Sequence, residues 1–510
     1  MSIGKTYHVA PHGDDANEGS ENKPFRTISK ASAQARPRDT VLVHGGIYRE
    51  QVTPAHGGAS DADRICYCAV LGESVVITGS EPVQGWGHVG KDTWTVQIGN
   101  DLFGSFNPYA DLIKGDWFMP KKRKHHTGAV YLNGHWLDEA ASLEAVLAES
   151  SETALWYAEV GETLTTIWAQ FPRVNPNKEN VEINVRKTVF SPDRPGIDYI
   201  TLRGFTLRHA ATPWAPPTAG QIGMVSAYWC KGWIIENNDL GYSKCTGIAL
   251  GKYSDEWDNC CETAEGYVGT IERALASGWN KENIGSHLVR NNHIHHCEQN
   301  GIVGSLGCSF SQITGNVIHD IHARRVFDGV EMAGIKFHGP VDVEISDNHI
   351  YRTNCGIWLD WMTQGAKISR NLLHDNTHPE PAFGDFLTEA NHGPYLVDNN
   401  IMLSPHSVSI CESHRGTFVH NYFGGRVTCV DRMTRQVPYL KPHSTEMEGL
   451  KPTQVGEDEW HHNVVVHENG LINYPSTALP SVLENNVCKI QKTSPTFTFP
   501  MNIWHEPKNS

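Results

Sequence analysis

The chain has 510 residues, 39% of them hydrophobic and 9% aromatic, which is ample apolar material for folding but too long for one ordinary compact core. Two or three domains, or one elongated solenoid, are what that length allows. A net charge of −15 argues against a nucleic-acid partner, because a phosphate-binding surface needs clustered Lys and Arg.

Met1 to Lys5 lead at once into a strand-like segment with no apolar run of signal-peptide length, and no stretch is long and apolar enough to span a membrane. A soluble cytoplasmic protein with no membrane partner is expected. Pro24-Phe25-Arg26-Thr27-Ile28 and the Ala-rich stretch after it predict a short helix that caps the open end of a solenoid. Asp39 to Tyr48 reads as strand, turn, strand, and residues 1–80 as opening coils with their cap. Residues 81–187 break the pattern with Trp-rich short strands. A hairpin is predicted around Asn133-Gly134 and a short helix from Ser142 to Glu149, which together point to an inserted β-sandwich. The basic run Lys121 to Lys124 reads as a solvated loop. From 188 to 510 the solenoid resumes, with a C-terminal extension packed along it after the repeat fades at Gly425. The 12 cysteines show no CxxC pairs and read as reduced, mostly buried thiols.

The repeat is the informative feature. An apolar-x-apolar segment ending in Asn recurs at Asn238, Asn292, Asn316, Asn348, Asn371, Asn400 and Asn421. From Asn292 onward the steps are 24, 32, 23, 29 and 21 residues, the size of a β-helix coil with variable loops. Asn tolerates the left-handed backbone of a tight turn, and stacked asparagines can bond one another along the solenoid. Gly-Ile pairs at Gly247, Gly301, Gly334 and Gly356 mark a second strand in several coils. The leucine pattern of a leucine-rich repeat is missing. The fold class is therefore all-β: a right-handed parallel β-helix interrupted by an inserted sandwich.

Strand alternation then places side chains. Ile335, Phe337, Ile357, Leu359, Phe386 and Thr388 point inward. Lys336, His338, Trp358, Asp360, Leu387 and Glu389 point out, so that His338, Asp360 and Glu389 share one outer face on consecutive rungs. Rungs about 4.8 Å apart suit the carboxyl spacing of a retaining glycosidase, about 5–5.5 Å. A slip of one residue would turn Glu389 into the core. Trp358, Trp361 and Phe386 surround the pair, and the loop from His378 to Gly384 is expected to wall it.

Trp358-Leu359-Asp360-Trp361-Met362-Thr363-Gln364-Gly365 and Thr388-Glu389-Ala390-Asn391-His392-Gly393-Pro394 resemble the β-xylosidases of glycoside hydrolase family 120. So do Glu331 to His338 and His125 to Val130, and the resemblance runs along nearly the whole chain. It implies a retaining enzyme with Asp360 as nucleophile, Glu389 as general acid/base and Glu331 as a substrate-contacting carboxylate. It also implies xylobiose and short xylo-oligosaccharides as substrates, release of D-xylose from a chain end, and a homo-oligomer such as a tetramer. Val330 stands before Glu331 where the family resemblance leads one to expect His, which puts subsite preference in question. Lys336 either holds Asp360 ionised or bonds a sugar hydroxyl. His338 is a structural partner or a substrate contact, and His392 with Asn391 either orients Glu389 or shapes the turn. Trp117 reaches the site or fills the sandwich core, and Arg435 is a candidate sugar contact. No cofactor and no metal ligand is expected. The alternatives are a polysaccharide lyase, which needs a free base and calcium ligands, and another exo-glycosidase such as an α-L-arabinofuranosidase.

Overall fold

The structure, a computed structural model, describes residues 4–150, 153–377, 383–431 and 435–488. Three long parallel sheets of thirteen, twelve and eight strands run along one axis, each coil contributing a short strand to two or three of them. The interior is a continuous column of apolar side chains, from Val9 and Val41 at one end to Trp460 and Val465 at the other. The predicted helix Ile28–Gln34, N-capped by Thr27, lies against the first strands.

The insert leaves the solenoid register intact. Ile65–Ala69 pairs directly with Ile200–Arg203, and Val75–Thr78 with Thr206–Arg208, as though the residues between were absent. Those residues form a four-stranded and a five-stranded sheet, largely antiparallel, that enclose a separate core of Val83, Trp86, Trp156, Ile167, Phe171 and Ile183 among others. Asn133 and Gly134 both take positive φ between strands Val130–Leu132 and His135–Trp136, the requirement of a two-residue hairpin turn. The expected short helix is Leu143–Leu147, after Ser142.

Two columns of residues fix the stacking. In the first, each asparagine bonds the next coil: the backbone N–H and the Nδ2 of Asn316 both donate to Asn348 Oδ1, and those of Asn348 both donate to Asn371 Oδ1. The left-handed residue is not the stacked asparagine but the one before it. That position is Asn291, Gly315, Asp347, Arg370 or Asn399 in successive coils, all with φ between 54° and 67°. The turn therefore tolerates several residue types, whereas the ladder accepts only the side chain that donates and accepts at once. In the second column, a Cβ on Gly301 would stand 2.6 Å from the carbonyl oxygen of Gly334, and one on Gly334 would stand 2.7 Å from that of Gly356. Glycine is required there by close approach of the coils.

The repeat does not fade after Gly425. Asn421 bonds Asn463, which bonds Asn486, and Glu459–His461 and Val482–Glu484 extend the first sheet. An antiparallel hairpin, Gln436–Leu440 with Met447–Pro452, interrupts the spacing and hides the pattern. Of the loop expected to wall the site, His378 to Gly384, residues 378–382 lie outside the described residues, and Phe383 packs on Trp358.

Asn348→Ala removes buried bonds to Asn316, Asn371 and the Ile313 carbonyl. It is expected to destabilise the chain by about 2–4 kcal/mol, read as a lower urea midpoint. Arg370→Ala, which breaks an exposed pair with Asp347 and a bond to its neighbour Ser369, should shift that midpoint little.

Candidate active site

The strands Ala333–His338, Ile357–Asp360 and Phe386–Glu389 are neighbours in the eight-stranded sheet. Their register pairs His338 with Asp360 and Asp360 with Glu389. Ile335, Phe337, Ile357, Leu359 and Phe386 fill the interior, as alternation requires. Each strand ends in a residue of positive φ directly after this column: Gly339, Trp361 and Ala390. The outward column thus stands where the chain turns away, at the floor of a cavity of about 260 Å³.

The cavity walls come from outside the repeat. Trp117 enters from the insert, held by its N–H to Glu262 and by the pairing of Phe118–Met119 with Asp328–Gly329. Thr263, Ala264 and Tyr267 come from the start of the helix Ala264–Ala276, which packs on Trp361. Arg435 stands one residue before the hairpin. Val330, Glu331, His338, Trp358, Trp361 and Pro217 complete the lining.

The charges are tightly paired. Asp360 is almost fully covered; its Oδ2 accepts from Lys336 Nζ at 2.7 Å and lies 3.1 Å from His338 Nε2. Its Oδ1 accepts the Trp361 N–H at 3.0 Å. Burial works to raise this carboxyl, but the adjacent Lys336 and His338 more than reverse that and hold it well below the usual carboxylate range. Glu389 is driven the other way. Burial first, then the negative charge of Asp360, push it up to about 7 against the pull of Arg435, whose Nη2 donates to Glu389 Oε1 at 2.6 Å. The same guanidinium reaches buried Glu412, Nε to Oε2, at 3.1 Å, so that one cation is divided between two carboxylates. Glu412, like Glu389, is raised, by burial first. One carboxyl kept ionised and another kept protonated near neutrality is the arrangement that acid/base hydrolysis of a glycoside requires.

Lys336 is completely buried. It stands 3.3 Å from Glu331 and 3.1 Å above the ring of Trp358 as well as bonding Asp360. Glu331, His338 and Asp360 are close enough to hold a cation, and the Lys336 ammonium is that cation. Trp358 faces outward as expected, yet Lys336 and Phe383 cover it until only 2% is exposed. His392 does not line the cavity. It sits beside Tyr439 and His414 under the hairpin, with Nε2 3.4 Å from the Val437 carbonyl oxygen. Asn391 bonds the Leu359 carbonyl, Thr388 and the Thr363 N–H, and so braces the turn between the two carboxylate strands.

Glu412 and Tyr267 escaped the sequence reading. Glu412 follows the next strand of the same sheet, His406–Cys411, whose Cys411 pairs with Glu389. Extending the register by one rung puts Cys411 in the outward column and Glu412 at the positive-φ turn directly after it. Tyr267 lies on a helix inserted between coils and carries no repeat signal.

A β-helix bearing this carboxylate pair in a cavity walled by aromatic side chains defines a glycoside hydrolase. The model of the glycoside hydrolase 120 insertion domain matches residues 83–183, and that of the right-handed β-helix region matches residues 231–425. XylC, solved in complex with xylose, is 37% identical, with a TM-score of 0.88 over 95% of this chain and 86% of that one. The chain belongs to glycoside hydrolase family 120. A second structure, described as a glycoside hydrolase, is 13% identical, with a TM-score of 0.52 over 96% of this chain and 98% of that one, and shares the fold. The uncharacterized protein YwoF of Bacillus subtilis (strain 168) is 40% identical over 76 residues, a match that spans 15% of this chain and 16% of that protein.

Lys336→Met should raise Asp360, because the adjacent ammonium is the main force holding it down. The acidic limb of the kcat/KM profile for glycoside hydrolysis is expected to move up by about one pH unit or more.

Proposed function

We propose that the protein is a retaining, exo-acting β-xylosidase that releases D-xylose from xylobiose and short xylo-oligosaccharides. The observation that carries this reading is the Asp360–Glu389 pair: one rung apart, both facing the cavity, with ionisation driven in opposite directions. A rung of about 4.8 Å lies near the carboxyl separation of retaining enzymes and well short of the span that leaves room for an attacking water. The xylose seen in XylC supports a pentose in this cavity, and the cavity's modest size supports a terminal sugar.

In the first step Asp360 attacks the anomeric carbon as its bond to the leaving oxygen breaks, and Glu389 gives that oxygen its proton. In the second, Glu389 takes a proton from water. The water oxygen attacks the anomeric carbon, and the ester to Asp360 breaks to restore the carboxylate. Lys336 and His338 stabilise the carboxylate at rest and as it leaves. Glu331, beside both, is placed to accept from a sugar hydroxyl. Lys336 is already shared between Asp360 and Glu331, so it is poorly placed as the free base of a lyase. Action in the cytoplasm on imported xylobiose belongs to the same reading, supported by 12 unbridged cysteines.

Turnover of p-nitrophenyl β-xyloside tests the substrate, with the α-L-arabinofuranoside as comparison. In Asp360→Ala, azide should restore activity and give α-xylosyl azide; in Glu389→Ala it should give the β product. Azide products of the opposite configurations would overturn the assignment, and a preference for the arabinoside would overturn the substrate.

The pH dependence carries a second prediction. Glu389 must hold a proton to act, so kcat/KM should fall as pH rises through about 7. Glu412→Gln leaves Arg435 to Glu389 alone, which favours the carboxylate and should move this alkaline limb to lower pH. An unmoved limb would mean that Glu412 does not act through Arg435.

A further inference from the structure

The second sheet carries a cluster that plays no part in the site above. Asp239 and His293 are Cα partners on adjacent rungs, and His295, two residues along the same strand, points to the same outer face. Their donor atoms all lie within 4.8 Å of one another. His293 Nδ1 is 3.2 Å from Asp239 Oδ2, and His295 Nε2 is 3.2 Å from Asp239 Oδ1. Two ligands about 2.0–2.1 Å from a tetrahedral zinc stand about 3.3 Å apart, and each histidine stands near that distance from one of the two Asp239 oxygens.

Each histidine also has its other ring nitrogen engaged. His293 Nε2 meets His319 Nε2 at 2.7 Å, and His319 is oriented in turn by Asp320, Nδ1 to Oδ2, at 2.6 Å. His295 Nδ1 meets His296 Nδ1 at 2.7 Å. Arg208 Nη2 lies 2.5 Å from Asp239 Oδ1, the same oxygen that faces His295, so a bound ion would share this carboxylate with the guanidinium or displace it. Outer partners that fix ring orientation and tautomer accompany metal-ligating histidines almost without exception. The position beside His295 is also cleared for it. Gly241 precedes it in the column, and a Cβ there would fall 2.3 Å from the His295 ring.

We propose that Asp239, His293 and His295 form a binding site for a divalent transition metal of the zinc class on the outer face of the second sheet. One carboxylate and two imidazoles suit zinc and its neighbours in the first transition row, and not calcium, which takes oxygen ligands. Three protein donors leave a coordination position open toward solvent. A bound ion would tie two successive coils together through side chains, beside the asparagine ladder that ties them through Asn238 and Asn292.

The test uses the full-length chain without a histidine tag, stripped with chelator and titrated with zinc by calorimetry. Uptake of one ion per chain is expected, with a rise in Tm that calcium does not produce. His293→Ala, which changes a half-exposed ring, and His295→Ala should each weaken binding by about tenfold or more. Gly241→Ala retains every donor but crowds the His295 ring, and should weaken binding as well. His374→Ala, further along the same face, should leave it unchanged. No uptake by the wild type, or uptake equal in His293→Ala and His295→Ala, would overturn the proposal and leave the cluster as a hydrogen-bonded ladder.

Discussion

Ala333–His338, Ile357–Asp360 and Phe386–Glu389 pair in parallel without a bulge, so that His338, Asp360 and Glu389 fall into one column. The site depends on that register. A slip of one residue in Ile357–Asp360 or Phe386–Glu389 would carry a carboxylate into the apolar interior, where an unpaired charge is costly. The register is held by features that contact no substrate: the asparagine ladder on one side of the coil and the Gly301-Gly334-Gly356 column at the start of these strands. The precision of the carboxylate pair is thus inherited from the solenoid and not from local packing around the site.

Burying four carboxyls together would otherwise be prohibitive. Asp360, Glu331, Glu389 and Glu412 are matched by two cations, Lys336 and Arg435, each shared by two of them. The imbalance this leaves is useful. With Lys336 committed to Asp360 and Glu331, and Arg435 divided between Glu389 and Glu412, the cheapest relief is for Glu389 to hold a proton near neutral pH. The two carboxyls on adjacent rungs then differ in ionisation because their cations differ. Lys336 is encased over Trp358, whereas Arg435 is divided and partly open to solvent.

Much of this was legible in the sequence because the repeat is periodic. Alternation within Gly356-Ile357-Trp358-Leu359-Asp360 set which side chains face outward, and the recurring Asn aligned the coils. Legibility failed where one coil is interrupted. The ladder from Asn421 to Asn463 spans an inserted hairpin, so the C-terminal coils read as an extension. His392 was placed near Glu389 by proximity in the chain, but the positive φ of Ala390 turns the backbone away and sends His392 beneath the hairpin. The αL position was assigned to the stacked asparagine instead of the residue before it, because both positions are often Asn and only the hydrogen bonds separate them.

The interruptions that obscured the repeat are also what make the site. A bare solenoid face is nearly flat and would expose Asp360 and Glu389 to water, with little to lower or raise either. Three departures from the repeat converge on that face. The insert delivers Trp117, the helix Ala264–Ala276 delivers Tyr267, and the hairpin segment delivers Arg435. The helix and hairpin pack on each other and on Trp361 through Val437 and Leu440, so the walls support one another and not only the sheet beneath. The enclosure they create is what desolvates Glu389, and desolvation is the first cause of its raised ionisation. The coils therefore set where the carboxyls stand, and the insertions set what those carboxyls can do.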